Sequence, residues 1–326
     1  MTRVLFISDI HFKHSNNAET ETLLTKLKEL ENYDFAVMGG DILDTHEKVD
    51  VQLLNKAYEM VSVLRSKTRV FICVGNHDMI NNQQFLTTNH WMNGMKEWAG
   101  VTVVDKPVLY QNFIFVPYVY PGRLVEALET VFDSSVWTNA TAVFAHQEIR
   151  GCKLGHTKSE NGDLWHPTWP MLISGHIHER QSPQPNVLYP GSVITHAFGG
   201  KATEDQGLSL FTFIDGKMSE ERVSLGLVAK KTTYYKVGDA VKLDRLNPQT
   251  RVVFSGTADE ILAFKSGKQC QCIESMGVKL QFNLASGPPR YPNQTPQSFI
   301  KVLESMVEDA GDLLLKEDYK SVVFDN

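Results

Sequence analysis

Short apolar runs alternate with amphipathic stretches through the first two hundred residues. VLFIS at 4–8 predicts a strand, 18–30 a helix, FAVM at 35–38 a strand, 51–64 a helix and RVFICV at 69–74 a strand. This β-α-β-α-β rhythm favours a sheet built with right-handed crossovers, and hence an α/β fold. Further strands are predicted at 113–118 (FIFVPY), 141–145 (TAVFA), 171–174 (MLIS), 187–189 (VLY) and 208–213 (LSLFTF). Residues 147–170 show no periodicity, and a segment of that length is expected to be functional or mobile. Beyond a boundary near 226–231, VKLDRLNPQTRVVFSG, TADEILAFKSG and QCQCIES read as strand, helix and strand. A Pro/Gly-rich linker follows at 285–296. Phe299, Leu303, Met306, Ala310 and Leu313 then recur at helical spacing. The expected division is 1–229, 230–284 and 285–326.

Composition narrows this picture. With 326 residues, 42% of them apolar, the chain can bury one large core or a large and a small one. No run approaches the roughly 20 apolar residues that a membrane span needs, and the opening strand lacks a signal-peptide pattern. These features predict a soluble intracellular protein, in cytoplasm or nucleoid, or in host cytoplasm if viral, with no membrane partner. Cys73, Cys152, Cys270 and Cys272 match neither a metal-site spacing nor a disulfide framework and read as reduced thiols. The net charge of −6 is unevenly spread. Residues 1–229 hold 19 basic and 26 acidic side chains, 230–296 hold 10 and 5, and 297–326 hold 3 and 7. The basic middle segment suits a polynucleotide backbone, though an ordinary solvated face has the same composition.

Five motifs closely follow predicted strands: D-I-H at 9–11, G-G-D-I-L-D at 39–44, G-N-H-D at 75–78, A-H at 145–146 and G-H-I-H at 175–178. Loops leaving the carboxyl ends of strands in an open α/β sheet converge on one site. That convergence would gather Asp9, His11, Asp41, Asn76, His146, His176 and His178. Carboxylates, imidazoles and an amide oxygen suit borderline divalent ions such as Mn²⁺, Fe²⁺ or Zn²⁺. Two such ions about 3.5–4 Å apart can clamp the attacking and leaving oxygens of phosphoryl transfer. Any one motif arises by chance; the ordered set of five is what carries the reading. The other histidines, His14, His46, His90, His156, His166 and His196, are read as surface residues, with His196 nearest the site.

Taken together, the motifs resemble the calcineurin-like metallophosphoesterase superfamily over residues 1 to about 215. The resemblance implies a β-sandwich flanked by helices. It implies a first metal on Asp9, His11, Asp41 and His178, with Asp41 bridging to a second on Asn76, His146 and His176. It makes His77 a catalytic residue that contacts phosphate and assists the leaving group, with Asp78 orienting it. The metals are expected to be Mn²⁺, with Fe²⁺, Zn²⁺ or Mg²⁺ as alternatives. G-D-I-L-D with G-N-H-D, S-G-H-I-H and Y-P-G-S is similar to the SbcD-type and phage recombination nuclease subunits, and differs from the G-D-x-V-D-R-G of protein phosphatases. Archaeal and eukaryotic nuclease members carry His where Asp44 stands. The SbcD branch implies a DNA exo/endonuclease of repair or recombination, with residues 230–284 as an α+β cap. It also implies a C-terminal helix for a coiled-coil ATPase of SbcC type, and a homodimer is a further expected partner. The alternatives are a small-molecule or nucleotide phosphoesterase and a non-catalytic binding module on the same fold.

Overall fold

In the first strand Val4 and Phe6 join one buried cluster while Leu5 and Ile7 join another, so both faces of the strand are covered. A strand buried on both sides reads as a continuous apolar run, which is why VLFIS, FAVM and RVFIC show no polar alternation.

The computed structural model describes residues 1–285 apart from 45, 47, 156, 197, 199–205 and 229, together with Val307. In chain order the strands are β1 (Thr2–Ile7), β2 (Phe35–Met38), β3 (Arg69–Cys73), β4 (Val101–Val104), β5 (Val108–Tyr110), β6 (Phe113–Phe115) and β7 (Ala142–His146). Then come β8 (Lys153–Leu154), β9 (Thr157–Lys158), β10 (Met171–Gly175), β11 (Gln181–Gln184), β12 (Val187–Tyr189), β13 (Leu208–Ile214) and β14 (Lys217–Val223). The later strands are β15 (Lys231–Lys236), β16 (Thr250–Gly256) and β17 (Lys279–Leu284). The helices are α1 (Asn17–Glu29), α2 (Val51–Arg65), α3 (Leu124–Glu129), α4 (Ser134–Trp137), α5 (Ala258–Lys265) and α6 (Lys268–Ser275).

The chain forms two compact units, Met1–Thr233 with Leu246–Arg251, and Tyr234–Arg245 with the residues from Val252 onward. In the first, two six-stranded sheets run β14-β13-β1-β2-β3-β4 and β11-β12-β10-β7-β6-β5. β1 through β4 pair in parallel, as do β6, β7, β10 and β12, so their carboxyl ends align at one edge of each sheet. Between the sheets lies an aromatic layer drawn from both: Phe71 stacks on Phe115 at 4.0 Å, and Phe6 on Phe144 at 5.9 Å. Leu23, Leu27, Met60 and Leu64 of α1 and α2 cover the outer face of the first sheet, and α3 and α4 cover that of the second. This is the expected helix-flanked sandwich.

The described residues of the 147–170 segment are held in place by polar and aromatic contacts. Gln147 Nε2 and the Leu124 amide both donate to the Asp163 carboxylate, at 2.7 and 2.8 Å, and Trp165 and Trp169 pack on Trp137.

A three-stranded sheet has the order β15-β16-β17, and in the second unit Phe254 packs on Phe264 at 4.3 Å. Thr257 and Glu260 form a reciprocal capping box at the start of α5. QCQCIES proves helical, not extended: Cys270 and Ile273 lie three apart on the buried face of α6 while Cys272 is exposed. Gly277, at φ 73°, closes that helix in the left-handed conformation glycine favours. β4, β5, β8, β9, β11, β14, β15 and β17 went unread; of these β14 and β15 are polar and only half covered, so their apolar signal is weak. The expected linker and C-terminal helix, Ala285 and Val307 apart, lie outside the described residues. Among the described residues no helix is long and apolar enough to cross a membrane.

Candidate metal centre

All five motifs sit at the carboxyl ends of β1, β2, β3, β7 and β10, and the seven expected ligands come together there. The loops interlock through their backbones. The Asp9, His11 and Phe12 amides donate to the carbonyls of Gly40, Asp41 and Ile42, at 3.1, 3.0 and 2.8 Å. The His176 amide donates to Asp9 Oδ1 at 3.0 Å and the His77 amide to Asp41 Oδ1 at 2.9 Å, so each carboxylate also ties down a neighbouring loop. Close approach at this crossing excludes a side chain at Gly75, where a Cβ would stand 2.3 Å from the Asp41 nitrogen and Oδ1. Asp9, His11, Asp41 and His176 all have positive φ (53°, 44°, 54° and 80°), an unfavourable region for residues with a Cβ.

Asp41 Oδ2 lies between two imidazoles, 3.5 Å from His11 Nε2 and 3.3 Å from His146 Nε2. On the His11 side, His178 Nε2 approaches His11 Nε2 to 3.1 Å and Asp9 Oδ1 to 3.8 Å. On the His146 side, Asn76 Oδ1 stands 3.0 Å from His146 Nε2 and 2.9 Å from His176 Nδ1. His146 Nδ1 donates to the Gly39 carbonyl at 2.6 Å, which turns Nε2 toward Asp41.

These groups fit metal ions on their own chemistry. Carboxylate, amide and imidazole lone pairs converge with few protons to share, and a cation among them resolves the conflict. Burial alone would lower the His146 imidazole, but the Asp41 carboxylate outweighs burial and raises it to about 9. The cleft thus draws positive charge to the spot between Asp41 and Asn76. Burial works against ionisation of Asp41 as well, yet His146, His11 and His77 hold its carboxyl well below the usual range. Burial lowers His176 to about 4, with His146 adding to the effect, which keeps its ring neutral as a ligand must be. Among the described residues, three groups of ligating side chains converge here: His11, Asp41 and His77; Asp41, His146 and His176; and His11, His178 and His196.

A match to the family described as Calcineurin-like phosphoesterase spans residues 2–180, which hold every one of these motif residues. The chain belongs to that family. The protein named "Putative phosphoesterase 078R" of Invertebrate iridescent virus 3 is 36% identical over 333 residues, covering 98% of this chain and 95% of the relative. "Putative phosphoesterase 244L" of Invertebrate iridescent virus 6 is 41% identical over 279 residues, covering 82% and 98%. Calcineurin-like phosphoesterases use divalent metals, in keeping with the donor set of this cleft.

Within this phosphoesterase the expected role of Asp78 is corrected. Its carboxylate makes no hydrogen bond to the His77 ring. It accepts instead from the amides of Asp41 (2.9 Å), Ile42 (3.1 Å), Leu43 (3.3 Å) and Gly75 (3.0 Å), and from Trp91 Nε1 (3.0 Å). Asp78 therefore shapes the loop that carries Asp41. Burial and the neighbouring Asp41 charge raise its carboxyl to about 6. His77 Nδ1 is instead held by the Asp44 carbonyl at 3.2 Å. Burial lowers the His77 imidazole. The Asp44 carboxylate lies 3.2 Å from His11 Nδ1, and Lys13 Nζ donates to it at 3.2 Å.

Two histidines read as surface residues stand at the site. His46 stacks on His77 at 4.7 Å, and His196 packs against His11 and His178, each at 4.9 Å. His90 is buried as the cap of the turn at Trp91–Glu97. His14 and His166 are exposed, and His156 lies outside the described residues. Sequence spacing held one cue for His196: it follows shortly after Y-P-G-S, at the end of β12. For His46, five residues past the bridging Asp, there was none.

Proposed function

We propose that the protein is a dinuclear metal-dependent phosphodiesterase of the SbcD-like type, hydrolysing DNA in repair or recombination. The observation that carries the reading is the full set of seven ligands around Asp41 Oδ2, with His77 beside it. Asp9, His11, Asp41 and His178 would hold one ion, and Asp41, Asn76, His146 and His176 the other, Mn²⁺ being the ion we favour. When bound, two divalent ions supply Lewis acidity to a phosphoryl oxygen and acidify water.

The protein's own groups do the rest. With Nδ1–H given to the Asp44 carbonyl, His77 keeps Nε2 free for substrate. The negative charge of an incoming phosphate favours a proton on that nitrogen, from which it can pass to the departing oxygen. The buried ring of carboxylates, cross-linked to backbone amides, keeps the ligands in place without needing to reorganise. His178, with 42% of its side chain exposed, leaves the site accessible to a large substrate.

DNA as substrate is supported by the excess of basic residues at 230–296, where Lys242, Arg245, Lys265 and Lys268 are exposed. In this reading the second unit caps DNA, and the segment beyond 285, which lies outside the described residues apart from Val307, would serve to dock a coiled-coil ATPase of SbcC type. The relatives' names support phosphoester hydrolysis at large. The test compares labelled duplex DNA with bis(p-nitrophenyl) phosphate in Mn²⁺. Reversing the four charges together should flatten the salt dependence of DNA binding by about 0.9 per lost phosphate contact and spare the small ester. An unchanged DNA slope would favour a small-molecule or nucleotide phosphoesterase.

A further inference from the structure

The segment that follows β12 fastens the two loops of the His11 side to each other. The Ser192 amide donates to the His178 carbonyl at 3.0 Å, and the Val193 amide donates to the Ser8 carbonyl at 3.2 Å. His196, at the end of this clasp, donates from Nε2 to the Asp9 carbonyl at 2.6 Å. A carbonyl can only accept, so the proton sits on Nε2 and Nδ1 carries a lone pair. That Nδ1 is buried and has no hydrogen-bond partner. His196 thus repeats the arrangement of His146, whose Nδ1–H is given to the Gly39 carbonyl at 2.6 Å while Nε2 faces the centre. A ring fixed by one nitrogen to a backbone carbonyl, with the other left open, is the usual state of a metal-bound imidazole.

Three rings complete the picture. His11, His178 and His196 form a triangle with centroids 5.0, 4.9 and 4.9 Å apart, and one ring nitrogen from each lies within 4.8 Å of those of the other two. An imidazole kept only for packing would leave Nδ1 stranded as a buried acceptor without a partner.

We infer that His196 is a further ligand of the metal on the His11 side, binding through Nδ1. The inference rests on the dinuclear reading above. A third imidazole would bias that position toward Mn²⁺, Fe²⁺, Co²⁺ or Zn²⁺ over Mg²⁺, which prefers oxygen donors. The His146 side, with two imidazoles and an amide oxygen, would carry a weaker form of this bias.

The test reads metal binding directly. In full-length protein loaded with Zn²⁺, the ¹⁵N spectrum of labelled histidine rings should show five metal-bound nitrogens, from His11, His146, His176, His178 and His196. In His196→Gln, which can keep a donor to the Asp9 carbonyl, one of the two Zn²⁺ affinities should fall by about 10–100-fold, the scale of a perturbed metal shell, and the other should hold. Two ions bound with only four ligated nitrogens would overturn the role of His196 and leave the dinuclear centre standing. So would two unchanged affinities in the variant. If the wild-type chain bound no Zn²⁺, both readings would fall together. If the variant failed to fold, the wild-type nitrogen count alone would decide.

Discussion

The two sides of the centre are built differently. On the His146 side most of the set is closed: His146 and Asn76 are buried, His146 is tied to the Gly39 carbonyl, and glycines let the loops touch, while His176 is 18% exposed. On the His178 side the ring is 42% exposed, and its loop is fastened by one backbone bond, from the Ser192 amide. The difference separates two tasks. The closed side belongs to the core, and disturbing it should cost folding stability. The open side faces substrate, and disturbing it should cost ion affinity or turnover while the fold persists.

The sharpest way to break this comparison is at the residue the two sides share. Asp41→Asn removes the charge between His11 and His146, so activity should drop below detection and both ions should be lost, as counted by elemental analysis. Full activity with two ions retained would refute the bridging role. A smaller loss is expected from His77→Ala. It should keep both ions and lose turnover by about 10²-fold, the scale of a positioned acid or base. Parallel loss of metal would instead make His77 a ligand.

A third comparison uses chelated protein and thermal or urea unfolding. His146→Ala leaves a cavity and a buried carboxylate without its partner, and should cost about 3 kcal/mol. His178→Ala, on the open side, should stay within about 0.5 kcal/mol. Equal losses would erase the distinction between the sides. The smallest effect is in pH. The His146 imidazole is raised to about 9 from its ordinary 6.5, because Asp41 overcomes the opposing effect of burial. Its contribution to metal-free stability is therefore complete below pH 6.5 and lost as pH rises through about 9. The Tm of chelated protein should fall across that window, and His146→Gln should show a shallower fall.

The clustering of the seven donor side chains was legible because each motif is contiguous and ends a strand whose apolar run is continuous. Residues 9–11, 39–44 and 75–78 carry both the chemistry and its position within a few letters. Asp78 shows the limit of that economy. Its place in G-N-H-D suggested a partner next door, but its hydrogen bonds reach the loop at 41–43, more than thirty residues away. His196 and His46 were misread for the same reason, since only the return of distant loops brings them against His11 and His77. In the second unit Q-C-Q-C offers a period of two over four residues, too short to outweigh the three-residue spacing of Cys270 and Ile273. The polar edge strand β14 gave almost no apolar signal, because only one of its faces is covered.

The left-handed backbone at Asp9, His11, Asp41 and His176 bears on how such a chain ages. Each of these residues holds a conformation that glycine or asparagine adopts more easily. Were hydrolysis no longer needed, replacing any of them by glycine would relieve strain, and drift would run toward a sturdier, inert protein. The centre thus carries its own mark of use: a copy that has fallen silent should show glycine first at these four positions, while its Phe-rich interior stays intact.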